Sequence, residues 1–236
     1  MKLEDLRVKL FCDSANILDM EEMRNRVQGY TSNPSLARRA GVVDYLAFCR
    51  EAAQRFPNHS LSLEVLAEEP QEAWRQSKLL SHLGPNVSVK VPIVTSTGQS
   101  NTPLIRDLAA SNVSVNVTAC FTRQHVRAAR DALRIGDPQR SYISVFAGRI
   151  ADSGACPEPL MSAAAWFLDG TPTELIWASV REPYNVVEAH RCQVPIITVF
   201  PEMLRRLNRF GRDLDEFAIE TSAMFARDAR EAGYTL

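Results

Sequence analysis

The chain has 236 residues, 45% of them hydrophobic and 23% charged, which suits one large domain with a full core. Its net charge of -1 offers no general attraction for nucleic acid or an anionic membrane surface. No apolar run approaches the roughly 20 residues that a membrane span needs, the N-terminal MKLEDLRVKLF lacks the apolar centre of a signal peptide, and five scattered cysteines with no CxxC pair fit a reducing cytoplasm better than a disulfide scaffold or zinc ribbon.

Short β-rich runs alternate with helical patterns along the chain. Strands are expected at Val8–Asp13, Gly29–Ser32, Leu61–Val65, Val87–Val91, Val113–Cys120, Tyr142–Phe146, Glu174–Ser179 and Pro195–Val199. Helical patterns cover Val42–Phe56, Gln71–Leu83, Asn101–Ala110, Thr122–Leu133, Pro159–Phe167 and Asp213–Ala232. Strands alternating with helices indicate a parallel α/β fold. The simplest closure is a (β/α)₈ TIM barrel, one domain over residues 1–236 with a C-terminal helical extension. An open doubly wound sheet competes, but no GxGxxG follows the first strand.

Several strands alternate in character instead of reading as continuous apolar runs. Leu61, Leu63 and Val65 share one face, opposite Ser62 and Glu64. Val87, Val89 and Val91 oppose Asn86, Ser88 and Lys90, and Val113, Val115 and Val117 oppose Ser114, Asn116 and Thr118. An antiparallel sheet with one wet face would give this pattern. So would a barrel whose outer strand face packs on helices while polar groups point inward, and the intervening helices favour the barrel. Glu64, Lys90 and Thr118 then face inward near the C-terminal strand ends, where barrel enzymes keep their chemistry.

A lysine in a valine-rich strand is costly to bury as an ammonium. Desolvation favours the neutral amine, which can attack a carbonyl and form a Schiff base. A structural ion pair of Lys90 with Glu64 or Asp13 is the competing explanation. Schiff-base cleavage also needs a proton shuttle, and Asp13 and Glu64 are the inward carboxylates at hand. Asp13, followed by Ser14, Ala15 and Asn16, could equally cap a helix. Arg149 follows the sixth strand and Arg181 the seventh, each near a hydroxyl residue, and barrels often hold phosphate on these late loops.

Taken in order, FCDSAN, TSNPSL, SLEV, VKVPI, NVT, SVFAGRI and WASVRE resemble the transaldolase family of class I aldolases, including its small subgroup overlapping fructose-6-phosphate aldolases, over nearly the whole chain. The resemblance implies Lys90 as the Schiff-base lysine, Asp13 as the residue handling substrate hydroxyl protons, and Glu64 with Thr118 positioning a water. It implies substrate contacts at Thr31, Asn33, Asn116, Ser144, Phe146 and Ser179, and phosphate contacts at Arg149 and Arg181. No metal or organic cofactor is implied, because the lysine supplies the electron sink. The partners implied are phosphorylated sugars and further copies of the same chain.

Fructose-6-phosphate aldolases resemble this chain but usually carry Gln at the SLEV glutamate and Tyr at the SVFAGRI phenylalanine. Glu64 and Phe146 therefore resemble a transaldolase, which keeps its enamine for a second aldehyde, more than an aldolase releasing dihydroxyacetone. A silent barrel that only binds sugar phosphates is a third reading. The loop in VPIVTSTGQSN is longer than the family's usual lysine segment, and GRIADSGACPEP and WASVREP are not its commonest forms. His59, His82, His125 and His190 show no ligand spacing. Trp74 and Trp166 are expected to pack within helices. Trp177, sharing parity with Ser179, is expected to line the barrel, and the last helix to cover the barrel mouth or a neighbouring subunit.

Overall fold

The computed structural model describes residues 2–134 and 140–235. Eight parallel strands close into a barrel in sequence order: β1 (Lys9–Asp13), β2 (Gly29–Thr31), β3 (Ser60–Glu64), β4 (Val87–Pro92), β5 (Val115–Cys120), β6 (Ser141–Val145), β7 (Thr173–Trp177) and β8 (Ile196–Val199), with β8 pairing back onto β1. Around it run α1 (Ile17–Met23), α2 (Pro34–Arg39), α3 (Tyr45–Arg55), α4 (Pro70–Ser81), α5 (Thr102–Ala110), α6 (Arg123–Leu133), α7 (Ala147–Asp152), α8 (Glu158–Leu168), α9 (Asn185–Arg191), α10 (Pro201–Arg206) and α11 (Leu214–Ala232). No helix of the described residues is long and apolar enough to cross a membrane.

Side-chain parity divides the interior into two layers. Leu61, Leu63, Val87, Val89, Val91, Val115 and Val117 are buried between strands and helices. Burial of each such side chain is worth about 1.5–3 kcal/mol. Inside the barrel, Phe11, Tyr142, Ile176, Ala178 and Ile196 form a separate apolar cluster. The Phe11 and Tyr142 rings meet edge to face with centroids 6.2 Å apart. Gly29 makes room for this floor: a Cβ there would stand 2.7 Å from the Phe11 ring and 2.8 Å from the Ser60 carbonyl. Above the floor, the inward positions turn polar.

Several boundaries differ from expectation. The single helix expected over Val42–Phe56 is α3 alone, because Asp44 caps it by accepting from the Ala47 N–H at 2.9 Å. The short helices α1, α2, α7, α9 and α10, of six or seven residues each, span too few turns for a periodic signal. β7 stops at Trp177, and Trp177 packs outward in the layer between strands and helices; the inward position is Ala178. Trp166 stands 82% exposed, whereas Trp74 packs against the core. Asp13 caps no helix; Asn16 caps α1 by accepting from the Leu18 N–H. The helix α11 contributes no residue to the cleft at the barrel mouth; none of its residues is buried, and Leu214, Ile219 and Phe225 are exposed.

Candidate active site

At the C-terminal end of the barrel lies a cleft of about 530 Å³. Asp13, Thr31, Asn33, Glu64, Lys90, Thr118, Ser144, Phe146, Arg149, Ser179 and Arg181 all line it. Sequence positions spread over the chain therefore converge because each sits at or just beyond a strand end. Asn116, the twelfth expected residue, lies fully buried just behind this lining.

Lys90 and Glu64 are register partners on β4 and β3. The Lys90 ammonium is 3.0 Å from Glu64 Oε2, with the lysine side chain 5% and the glutamate 16% exposed. Lys90 Nζ also donates to the Ser32 carbonyl at 3.2 Å. Asn116, beside Lys90 in register on β5, donates to Ser62 Oγ at 3.0 Å and accepts from Ser144 Oγ at 2.8 Å. This chain fixes the amide under the lysine.

Asp13 accepts from Thr31 Oγ1 at 2.7 Å, and Thr31 Oγ1 also meets Thr198 Oγ1 at 2.6 Å. Burial pushes the Asp13 carboxyl above the usual carboxylate range, although Lys90 and the Thr31 hydrogen bond pull the other way. Thr118 lies within a register shift between Val117 and Cys120, where Ala119 takes a φ of 56°. Such a bulge re-aims the side chains around it. Thr118 Oγ1 is buried without a hydrogen-bond partner in the protein. A polar atom in that position favours a partner from the cleft.

The first turn of α7 touches the loop after β7 closely. A Cβ at Gly148 would stand 1.6 Å from the Ser179 carbonyl oxygen, so only glycine allows the approach. Ser179 itself takes a left-handed φ of 64°. Arg149 lies over the Phe146 ring, 5.4 Å from its centroid. Arg181 is held by Asp152, with Nε 3.0 Å from both carboxylate oxygens and Nη2 2.5 Å from Oδ2. Asn33 spends its side-chain oxygen on capping α2, accepting from the Leu36 N–H at 3.0 Å.

Sequence reasoning missed Arg39, Phe200 and Thr198, which also line the cleft. Arg39 lies 5.5 Å over the Phe200 ring. Thr198 carried a readable signal, a polar residue inside the apolar run IITVF. Arg39, on an exposed helix end, carried none. The histidines lie outside the cleft; His59, for example, has its Nε2 2.9 Å from the Arg24 carbonyl. Among the described residues, no group of three or more His, Cys, Asp and Glu could hold a metal ion.

Comparison with known proteins places the chain in a family. The sequence profile described as Transaldolase/Fructose-6-phosphate aldolase matches residues 10–234. A "Probable transaldolase" of Exiguobacterium sibiricum is 31% identical over 197 residues, covering 81% of this chain and 86% of the relative. Another of that description, from Rhodospirillum centenum, is 29% identical over 236 residues, covering 97% and 94%. A third, from Shouchella clausii, is 32% identical over 217 residues, covering 90% and 94%. A crystal structure of a protein from Burkholderia cenocepacia superposes with a TM-score of 0.57 at 11% identity, covering 96% of this chain and 84% of that one, a likeness of fold alone. The chain belongs to the transaldolase/fructose-6-phosphate aldolase family.

Proposed function

We propose that the protein is a transaldolase. It takes a dihydroxyacetone unit from a ketose phosphate such as fructose 6-phosphate or sedoheptulose 7-phosphate and passes it to an aldose phosphate. The observation that carries this reading is the buried Lys90 ammonium against Glu64 within a polar cleft. Glu64 is within reach to accept a proton from Lys90, freeing the amine to attack the ketose carbonyl. The carbinolamine then loses its hydroxyl as water, with Glu64 returning the proton and Thr118 Oγ1 holding the water. Asp13 takes the proton of the hydroxyl next to the breaking carbon–carbon bond, and the bonding pair moves into the iminium to give an enamine. The raised Asp13 carboxyl suits a group that must both take and return a proton. Attack of the enamine on the second aldehyde and hydrolysis of the new iminium reverse these steps.

Glu64 and Phe146 favour transfer over release of dihydroxyacetone. The Phe146 ring lines the cleft but has no hydroxyl with which to protonate an enamine or hold a water. Arg149 and Arg181 are the groups assigned to phosphate, matched to its oxygens by charge and shape. Gly148→Ala is expected to raise KM for fructose 6-phosphate by about tenfold or more, because it drives apart α7, which carries Arg149, and the loop that carries Arg181. An unchanged KM would show that those segments do not hold the phosphate end.

Borohydride reduction of the protein with fructose 6-phosphate, followed by peptide mass analysis, tests the reading. A dihydroxyacetone-sized adduct on Lys90 is expected, and in a separate assay without borohydride the enzyme should convert fructose 6-phosphate and erythrose 4-phosphate to sedoheptulose 7-phosphate and glyceraldehyde 3-phosphate. Absence of any adduct despite normal substrate binding sinks the catalytic claim. The exposed apolar residues of α11 support a homo-oligomer. Light scattering should accordingly give a mass that is a multiple of 26.4 kDa, and a monomer mass would reject it.

A further inference from the structure

β2 and β3 pair only as far as Thr31 opposite Ser62. The Ser32 N–H makes a last bond to the Ser62 carbonyl at 3.0 Å before the chain turns into α2. In a parallel ladder, the N–H and C=O of one residue serve the same neighbouring strand, and successive residues alternate between neighbours. Leu61 and Val65 donate toward β4, to Asn86 and Lys90. Ser62 and Glu64 therefore face the β2 side, and Glu64 reaches past the point where β2 ends.

The Tyr45 hydroxyl occupies that place. It donates to the Glu64 carbonyl at 3.1 Å and accepts from the Glu64 N–H at 3.1 Å. Tyr45 is the first residue of α3, seated by the Asp44 cap. Burial pushes its phenol far above the ordinary range, with the nearby Cys49 adding to the effect, so the hydroxyl keeps the proton it donates. Its side chain does not line the cleft.

We infer that Tyr45 is a positioning residue whose hydroxyl extends β2 by one polar atom, fixing the last residue of β3 so that the Glu64 carboxylate meets Lys90. The inference rests on the reading of Glu64 as the partner of Lys90 in the reaction. A purely architectural tyrosine, merely fastening α3 to the barrel, would give the same contacts but act independently of the Glu64 side chain.

A cycle of full-length variants separates the two: Tyr45→Phe, Glu64→Gln and the double variant, assayed for transfer from fructose 6-phosphate to erythrose 4-phosphate. Tyr45→Phe should lower kcat about tenfold, with KM for fructose 6-phosphate within about twofold of the parent. The double variant should be no slower than Glu64→Gln alone, because residues acting as one unit are not additive. Losses that multiply, or an unchanged kcat in Tyr45→Phe, overturn the inference. An unchanged kcat in Glu64→Gln overturns the reading beneath it, and the inference with it. Should Tyr45→Phe fail to fold, Asp44→Ala takes its place in the cycle. It loosens the first turn of α3 while leaving the hydroxyl present, and the same failure to multiply is expected.

Discussion

Lys90→Met is expected to lower transfer activity by about 10⁴-fold or more and to abolish the borohydride adduct, since the variant has no amine to form the iminium. The loss should be confined to chemistry. Methionine keeps most of the side-chain volume in the strand, though it leaves the Glu64 carboxylate without its cation. Lys90→Arg is the companion variant: it keeps a positive charge toward Glu64 but carries a guanidinium that does not condense with ketoses at neutral pH. Both variants should remain folded by circular dichroism and inactive in a coupled assay. Retention of more than about a hundredth of the parent kcat in either would remove Lys90 from the mechanism.

Asp13→Asn should have two opposite effects. Activity falls by about 10²–10⁴-fold, because an amide cannot take the hydroxyl proton. Stability rises. The Asp13 carboxyl is held above the usual carboxylate range by burial, so within the window between its unfolded and folded values the folded protein binds a proton that the unfolded chain does not. Folding stability then declines as pH rises through that window. Asparagine carries no such dependence and can still accept from Thr31. The variant's advantage should therefore be small near pH 4 and grow toward neutrality, seen as a Tm difference that widens in its favour as pH rises. A variant that loses Tm relative to the parent as pH rises would mean that the ion attraction to Lys90 outweighs the burial of Asp13, and a difference independent of pH would mean that the two cancel.

The barrel was legible in the sequence because its strands carry alternating polarity at the positions that matter. Ser62, Glu64, Lys90, Asn116 and Thr118 share the inward parity, and neither an outer strand face nor a surface helix offers a reason for such residues among valines. Parity misled where a strand ended early. Strict alternation puts Trp177 and Ser179 on one inward face, but β7 stops at Trp177 and the left-handed turn at Ser179 resets the direction of the chain. The short helices were illegible for want of length. Arg39 was illegible because an exposed arginine near a helix end has many ordinary explanations, and only the folded chain brings it over Phe200 at the cleft. The role of Tyr45 depends on where β2 stops, which no local pattern encodes.

The apolar floor of the barrel bears on the order of events under the proposed chemistry. Phe11, Tyr142, Ile176 and Ile196 close the lower end, so the cleft opens on one side only. The aldehyde cut from the donor and the aldehyde that accepts the fragment must use the same doorway, one after the other. The enzyme is then a relay with a waiting stage: it holds the three-carbon unit covalently while its two aldehydes change places. Initial-rate plots against donor at several acceptor concentrations should run parallel, as in a ping-pong reaction.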